Sequence, residues 1–547
     1  MSKIPVSVHS PLPKTSCTMK EGYLYPIKVI PTLPGDYIEV TVSDVIRSLP
    51  MLAPNYGDYS VQIQAYHVDN RLLMDKWWDF RTGGLKNDDT QSLPYMLHSH
   101  AKGDVGFGSL TDFLRTAPAL SFYTKDEKGV LQPNNIVGKS LCFMERGYTK
   151  IINDWMINQN VQEELPLSTE NGDDGEDTIT NRMLWRKNWN RDYFTNQVPS
   201  QQKGPQAIIP IGSAAPVIGN GTTIGFTNGT ELFGLASSSI GGAGVLYGSL
   251  GNYGVPIGKA SVGAAVGSTV TAGLSTDPTK SGMIADLSET TGIPISVINL
   301  AKKGQELAVK LMVHGSRSVE FLQSMFGVTS SDARLDRSRF LGSYSTNVLV
   351  SPISQTSSTD KTSPQGNQSG IGFHSSILPK FKCYCEEDGF LFIMCCIRPR
   401  SIYAQGMPSW CRYKTRNDYP LPLFGNLDFV ASDNAEIMYT GVENGTDETD
   451  WDNPDLIDNQ KFGFHPIYQE YRTLPSEIHG EFLNTLNYWT PARIFENVPK
   501  LNNEFLQCNP TRRQWADETE NDKWLADFSF KFRLRRKLPK FGMPSYY

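Results

Sequence analysis

No apolar run in this 547-residue sequence approaches the roughly 20 residues that a membrane-spanning helix needs. The longest, Phe390 to Ile397 (FLFIMCCI), has the length of a buried strand. Nor does Met1 to Lys14 hold an apolar core of signal-peptide length. It carries Pro5, Pro11 and Pro13 instead, so the chain is expected to stay in the compartment where it is made. Cysteine is scarce and uneven. Of the 8, Cys383, Cys385, Cys395, Cys396 and Cys411 crowd one region while Cys17, Cys142 and Cys508 stand alone, which is unlike a secreted disulfide framework and points to a reducing compartment. An excess of positive charge is missing too: 51 Lys plus Arg against 57 Asp plus Glu gives 51 − 57 = −6, which excludes a generally basic nucleic-acid coat and leaves room for local contact alone. Wholesale disorder is excluded from the other side, with 39% hydrophobic residues, 26 Phe, 23 Tyr and 10 Trp.

The motifs of several enzyme classes are absent as well. There is no G-x-x-x-x-G-K-[ST], H-E-x-x-H, G-x-S-x-G or G-x-G-x-x-G; in the runs Gly219 to Gly225 and Gly242 to Gly248 the third Gly comes one residue late. Cys383-x-Cys385 with Cys395, Cys396 and Cys411 lacks a Cys-x-x-Cys knuckle, and adjacent Cys395 and Cys396 must face opposite ways in a strand. These cysteines are read as small buried hydrophobes, and no metal or cofactor is expected. His98 and His100 are read as exposed or internally bonded, and Asp173, Asp174, Glu176 and Asp177 as a solvated acidic loop.

Period-two alternation is what the chain has in quantity. Tyr59 to Val68 sets Val61, Ile63 and Ala65 against Gln62 and Gln64, and Phe528 to Leu534 sets Phe528, Phe530, Phe532 and Leu534 against Ser529, Lys531 and Arg533. Both read as strands with one wet face. Asp388-Gly389 between two apolar runs predicts a two-residue hairpin. Helical spacing predicts two short helices within Gln305 to Phe326, broken at Gly315, and a shorter one from Arg71 to Phe80, stopped at Gly83-Gly84. The expected class is all-β, a Greek-key sandwich or barrel with long connections.

Two segments depart from the average. Gly204 to Thr276 is crowded with Gly, Ser, Ala and Val and has Glu231 and Lys259 as its charged residues, so it reads as an ordered insertion whose apolar side chains pack against neighbouring copies, or else as a disordered loop. At the other extreme, Lys531 to Lys540 (KFRLRRKLPK) holds six basic residues in ten. Such a face can neutralise phosphates, with Trp515, Trp524 and Phe541 near in sequence to stack on bases, or it can pair with acidic residues of a neighbouring subunit; Arg512-Arg513 has the same two readings.

Short motifs then follow one another along the chain: Leu33 to Asp36 (LPGD), Asn70 to Gly84 (NRLLMDKWWDFRTGG), Arg191 to Thr195 (RDYFT), Phe326 to Arg334 (FGVTSSDAR), Arg339 to Gly342, Ile353 to Ser357 (ISQTS), Arg398 to Gly406 (RPRSIYAQG), Asn509 to Arg513 (NPTRR) and Leu538 to Pro544 (LPKFGMP). In this order the sequence resembles the major capsid proteins of microviruses, small icosahedral single-stranded DNA phages, and among them the gokushovirus-like branch. It departs from that pattern at Asn196 to Gln201, NQVPSQ where the family often has L-P-W-P-Q, which bears on where the insertion begins.

The resemblance implies a structural protein and not an enzyme: an eight-stranded antiparallel viral jelly roll with long loops and a few short helices, one discontinuous domain of residues 1–203 and 291–547 with residues 204–290 inserted as a surface protrusion. It further implies a homo-oligomeric T=1 shell of sixty copies built of pentamers, with threefold protrusions, enclosing a circular single-stranded DNA genome. A small basic DNA-packaging protein, a minor pilot protein and a host surface receptor are the implied partners, with no membrane. The virion is the implied location, after assembly in the bacterial cytoplasm. Arg512, Arg513, Arg533, Arg535, Arg536 and Lys537 are the nucleic-acid candidates. The competing reading is a carbohydrate-binding or carbohydrate-active β sandwich in which Trp77, Trp78, Trp185 and Trp189 stack on sugars.

Overall fold

The structure is a computed structural model that describes residues 6–83, 92–171, 175–204 and 295–314, residues 323–324 and 326, and residues 336–538 with gaps at 357–358, 360–364, 417, 426–428, 442–452, 454, 518 and 520. Within 205–294 it describes the backbone of short strands alone. The chain divides into two compact units, Met1–Gln201 with Met312–Tyr547, and Gln202–Leu311.

Eleven strands build the core of the first unit: β1 (Ser7–His9), β2 (Lys14–Met19), β3 (Tyr25–Thr32), β4 (Tyr37–Ser48), β5 (Tyr59–Asp69), β6 (Arg339–Asn347), β7 (Leu349–Ser354), β8 (Gln368–Ile377), β9 (Phe381–Tyr384), β10 (Gly389–Pro399) and β11 (Trp524–Arg536). They form a seven-stranded sheet in the order β1-β11-β4-β8-β7, with β2 also on β11 and β9 also on β4, and a four-stranded sheet in the order β6-β5-β10-β3. Every pairing between them is antiparallel. The two sheets pack face to face. Ile38, Val40, Val42 and Ile46 of β4 and Phe528, Phe530 and Phe532 of β11 share one core with Val61, Ile63 and Ala65 of β5 and Leu391, Ile393 and Ile397 of β10. Apart from Ala65 and Leu391 these are the β-branched and aromatic residues that suit a pleated, buried surface, and each of the larger side chains contributes about 1.5–3 kcal/mol on burial.

β11 keeps the alternation its sequence predicts, Lys531, Arg533 and Arg535 being exposed in alternation with buried Phe530, Phe532 and Leu534. β5 does not have a wet face. Gln64, Tyr66 and Val68 are buried, because helix α2 (Phe143–Trp155) and the segment from Leu72 to Trp77 lie over that side of the four-stranded sheet. The helix expected from Arg71 to Phe80 is instead a 3-10 turn, Asn70–Leu72, followed by α1 (Trp77–Thr82), which ends at Gly83 in the left-handed conformation, the stop foreseen there. Phe143, Tyr148, Ile151 and Ile152 of α2 meet Tyr66, Val68, Phe392, Met394 and Cys396 in a second core. Beneath it Lys187 is buried with its Nζ 2.8 Å from Gln62 Oε1 and 2.6 Å from Gln64 Oε1, and burial lowers its pKa to about 7.

The hairpin expected at Asp388-Gly389 is a correction. β9 pairs with β4 in one sheet and β10 with β5 and β3 in the other, so Cys385 to Asp388 carries the chain across the sandwich. Gly389 is there for close approach rather than for a turn: a Cβ on it would stand 2.3 Å from Val68 O. The helix predicted from Gln305 starts earlier, as α3 (Ile295–His314), and stops at the residue before Gly315; the second predicted helix lies largely outside the described residues.

The second unit has short antiparallel pairs, Val217–Gly219 with Met283–Ala285, Gly225–Thr227 with Leu232–Gly234 and Gly273–Leu274, and Tyr247–Leu250 with Tyr253–Pro256. The apolar side chains singled out there by sequence lie outside the described residues.

Candidate nucleic-acid interface

The basic residues of β11 belong to the outer face of the seven-stranded sheet, and the register of that sheet decides what stands beside them. Arg533 is opposite Glu39, which is opposite Lys382; Arg535 is opposite Tyr37, which is opposite Tyr384; Lys531 is opposite Thr41. Directly opposed residues share a face. Lys531, Arg533, Arg535, Lys382 and Lys380 are exposed here, joined by Tyr384 at 52% exposure, and the Arg535 guanidinium lies 5.8 Å from the Tyr37 ring centroid. Glu39 is the acid within this patch, 3.7 Å from Lys380 Nζ and 3.9 Å from an Arg533 nitrogen. Five cations around one carboxylate leave net positive charge, with two tyrosine rings set among them.

The same face changes character along its strands. Toward the Trp524 end its exposed residues are Leu525, Val45, Phe373 and Ile377 beside Arg47, and Leu349 lies opposite Phe373. One half of the open face is basic and tyrosine-bearing, while the other sets its apolar residues among Arg47, Asp527 and Ser375.

Of the six candidate arginines and lysines, Arg533, Arg535 and Lys537 are exposed at the basic end. Arg536 is not available: its Nε is 2.9 Å from Asp36 Oδ2, with Asp36 fully buried, and an Nη donates to Pro31 O at 2.6 Å. This pair ties the end of β11 to the LPGD turn, where Gly35 has φ +87° and the Lys537 side chain lies against it. Arg513 is structural as well, donating to the carbonyls of Asn487, Thr490 and Ala492 at 2.8–3.2 Å, with burial lowering its pKa. Arg512 lines a small pocket with Lys20, Arg186 and Lys523 at the Trp524 end, about 30 Å along the strand from Arg533. Two of the three aromatic partners foreseen for these residues are unavailable, Trp515 and Trp524 being buried against each other with ring centroids 5.8 Å apart, and Phe541 lies outside the described residues. Tyr37 and Tyr384 take their place. No sequence spacing signals them, since strand register alone brings them to Arg535.

The other candidate chemistry sorts as follows. Trp77, Trp185 and Trp189 are buried and Trp78 is exposed, which removes the aromatic platform of the carbohydrate reading. His98 is buried between Asp104 and Ser140, 2.9 Å from each. Asp177 is no solvated acid but the buried partner of Arg146, at 2.8 Å, which also donates to the carbonyls of Leu73 and Glu170; Glu176 pairs with Lys102, while Asp173 and Asp174 lie outside the described residues. Cys395 and Cys396 face opposite cores, as adjacent strand residues must, and Cys411 is exposed. Cys383 and Cys385 share a face with Sγ atoms 3.6 Å apart, and His67 joins them, all three candidate ligand atoms lying within 4.8 Å.

The sandwich thus has one covered and one open outer face, an architecture that many unrelated functions share, so the family is settled by other means. Comparison with known proteins decides it: the capsid protein (F protein) family matches residues 3–546. The chain belongs to that family. Capsid protein VP1 of Spiroplasma virus 4 is 29% identical over 97% of this chain and 93% of its own length. Capsid protein VP1 of Chlamydia phage 1 is 28% identical over 96% and 93%, and that of Bdellovibrio phage phiMH2K 28% over 97% and 93%. The resemblance read from short motifs is therefore a relationship over nearly the whole chain, to microvirus capsid proteins. A capsid protein has its place in the virion and a structural role in place of catalysis. No helix among the described residues is long and apolar enough to cross a membrane.

Proposed function

We propose that this chain is the major capsid protein of a small single-stranded DNA phage, assembling through its loops and outer faces into a T=1 shell of sixty copies, built of pentamers, around a circular genome. In this reading the face-to-face sheets are a viral jelly roll, and the Gln202–Leu311 unit, with the insertion expected over 204–290, is a surface protrusion where three copies meet. The family match across residues 3–546 is the observation that carries it.

Genome contact falls to the basic half of the open sheet. Lys531, Arg533, Arg535, Lys380 and Lys382 would neutralise backbone phosphates, and Tyr384 and Tyr37 would offer rings to unpaired bases. A chain of net charge −6 needs help to neutralise a packed genome, which supports a small basic packaging protein as partner. The pilot protein and the host receptor follow from the family reading, and the half of the open face that carries the exposed apolar residues suits contact with another copy.

The test is the triple variant K531S/R533S/R535S, which leaves the Arg536–Asp36 pair intact. Particles should still form, as seen by electron microscopy, while packaged DNA falls severalfold and the salt dependence of binding to a single-stranded oligonucleotide becomes shallower by about two units in log–log slope. Unchanged DNA content and slope would refute the interface.

A further inference from the structure

Three groups that sequence holds apart meet where the chain crosses between the sheets. Cys383 of β9 belongs to the seven-stranded sheet, His67 of β5 to the four-stranded sheet, and Cys385 opens the crossover between β9 and β10. All are buried, and the two sulfurs lie 3.6 Å apart. Sulfurs bound to one tetrahedral zinc at about 2.3 Å would stand about 3.8 Å apart, so the pair is within a few tenths of an ångström of that arrangement.

His67 is turned the right way. Its Nδ1 stands 3.4 Å from Asp69 Oδ1, a charge contact rather than a hydrogen bond, and its Nε2 is on the side of Thr32 and Cys385. Nε2 is 2.8 Å from Thr32 Oγ1, a hydroxyl that also bonds Cys385. An Arg339 nitrogen sits 3.3 Å from His67 Nδ1 and another is bonded to Tyr384 O. Charge then balances: a divalent ion with two thiolates is neutral, and the Arg339 cation is matched by the buried Asp69 carboxylate.

We propose that His67, Cys383 and Cys385 form a zinc site that staples the two sheets at their crossover, with an oxygen in the fourth position, the Thr32 hydroxyl being the one at hand. Binding deprotonates both thiols, releases two protons to solvent and involves no redox change. In a sandwich without a disulfide among its described residues, one ion there joins strands 383 − 67 = 316 residues apart in sequence.

The experiment is elemental analysis of the full-length protein, purified under reducing conditions and exposed to zinc, then freed of unbound metal. About one zinc per chain is expected in the wild type and in Cys395→Ser, whose thiol is equally buried, and less than about a tenth of that in C383S/C385S. Zinc retained by C383S/C385S, or absent from the wild type, would overturn the site. Should the double variant fail to fold, cobalt loaded into the wild type decides alone: sulfur-to-cobalt charge-transfer and tetrahedral d–d bands support the site, and a featureless spectrum overturns it. A Cys383–Cys385 disulfide found by intact mass in reduced, zinc-exposed protein would also overturn it.

Discussion

On β11 of the seven-stranded sheet the side chains that point away from the core are Ser529, Lys531, Arg533 and Arg535; on β5 of the four-stranded sheet they are Gln62, Gln64, Tyr66 and Val68. The first set meets solvent. The second is covered by α2 and by Lys187. Both strands alternate, and both inner faces feed one core, so alternation marks the inward side without saying what lies on the other. A covered outer face makes the four-stranded sheet an interior layer, while the open one leaves the seven-stranded sheet a surface for partners.

The largest test of this contrast is Phe392→Ala. Phe392 lies on the outer side of the four-stranded sheet and is fully buried, so its loss should destabilise the chain by about 3–5 kcal/mol in urea unfolding, as much as Phe530→Ala in the shared core. A cost near zero would mean that the layer over this sheet is not packed. Next comes Asp177→Asn, which leaves the Arg146 guanidinium buried without its counter-charge and should cost about 3 kcal/mol by the same assay.

Glu21 probes the closed end of β11 through pH. Its carboxylate accepts from Trp524 Nε1 at 3.1 Å, and burial raises its pKa from 4.5 to about 8. The folded state therefore holds this proton more tightly than the unfolded chain. Its stabilising share is complete below pH 4.5 and is lost as pH rises through about 8. Glu21→Gln should remove that slope, so that above pH 8 the variant gains on the order of 5 kcal/mol relative to wild type and below 4.5 very little. Parallel stability–pH curves for the two proteins would contradict this. The smallest effect belongs to the open face, where Arg533→Ser should change unfolding stability by under about 0.5 kcal/mol. A larger loss would make Arg533 part of the fold and weaken its assignment to DNA.

The sequence was legible wherever chemistry is local. Alternation marked β11, the run Phe390 to Ile397 marked the buried strand β10, Gly83 marked a helix stop, and the ordered motifs marked the family. It misled at Asp388-Gly389, because an aspartate–glycine pair serves a tight turn and a close crossover equally well, and only the partner strands distinguish them. It misled again at Trp515 and Trp524, which are near the basic run in sequence yet point into the core.

What the sequence by itself determined is thus the class of strand, the residues of the inner faces and the membership in a capsid family, since these depend on side-chain period and on short motifs. Tertiary structure decided which outer face is covered, that Tyr37 and Tyr384 stand beside Arg535, that Arg536 serves the LPGD turn and that His67 meets Cys383 and Cys385. Each of these depends on register between strands distant in the chain, and register is set by packing across the whole sandwich rather than by any segment alone.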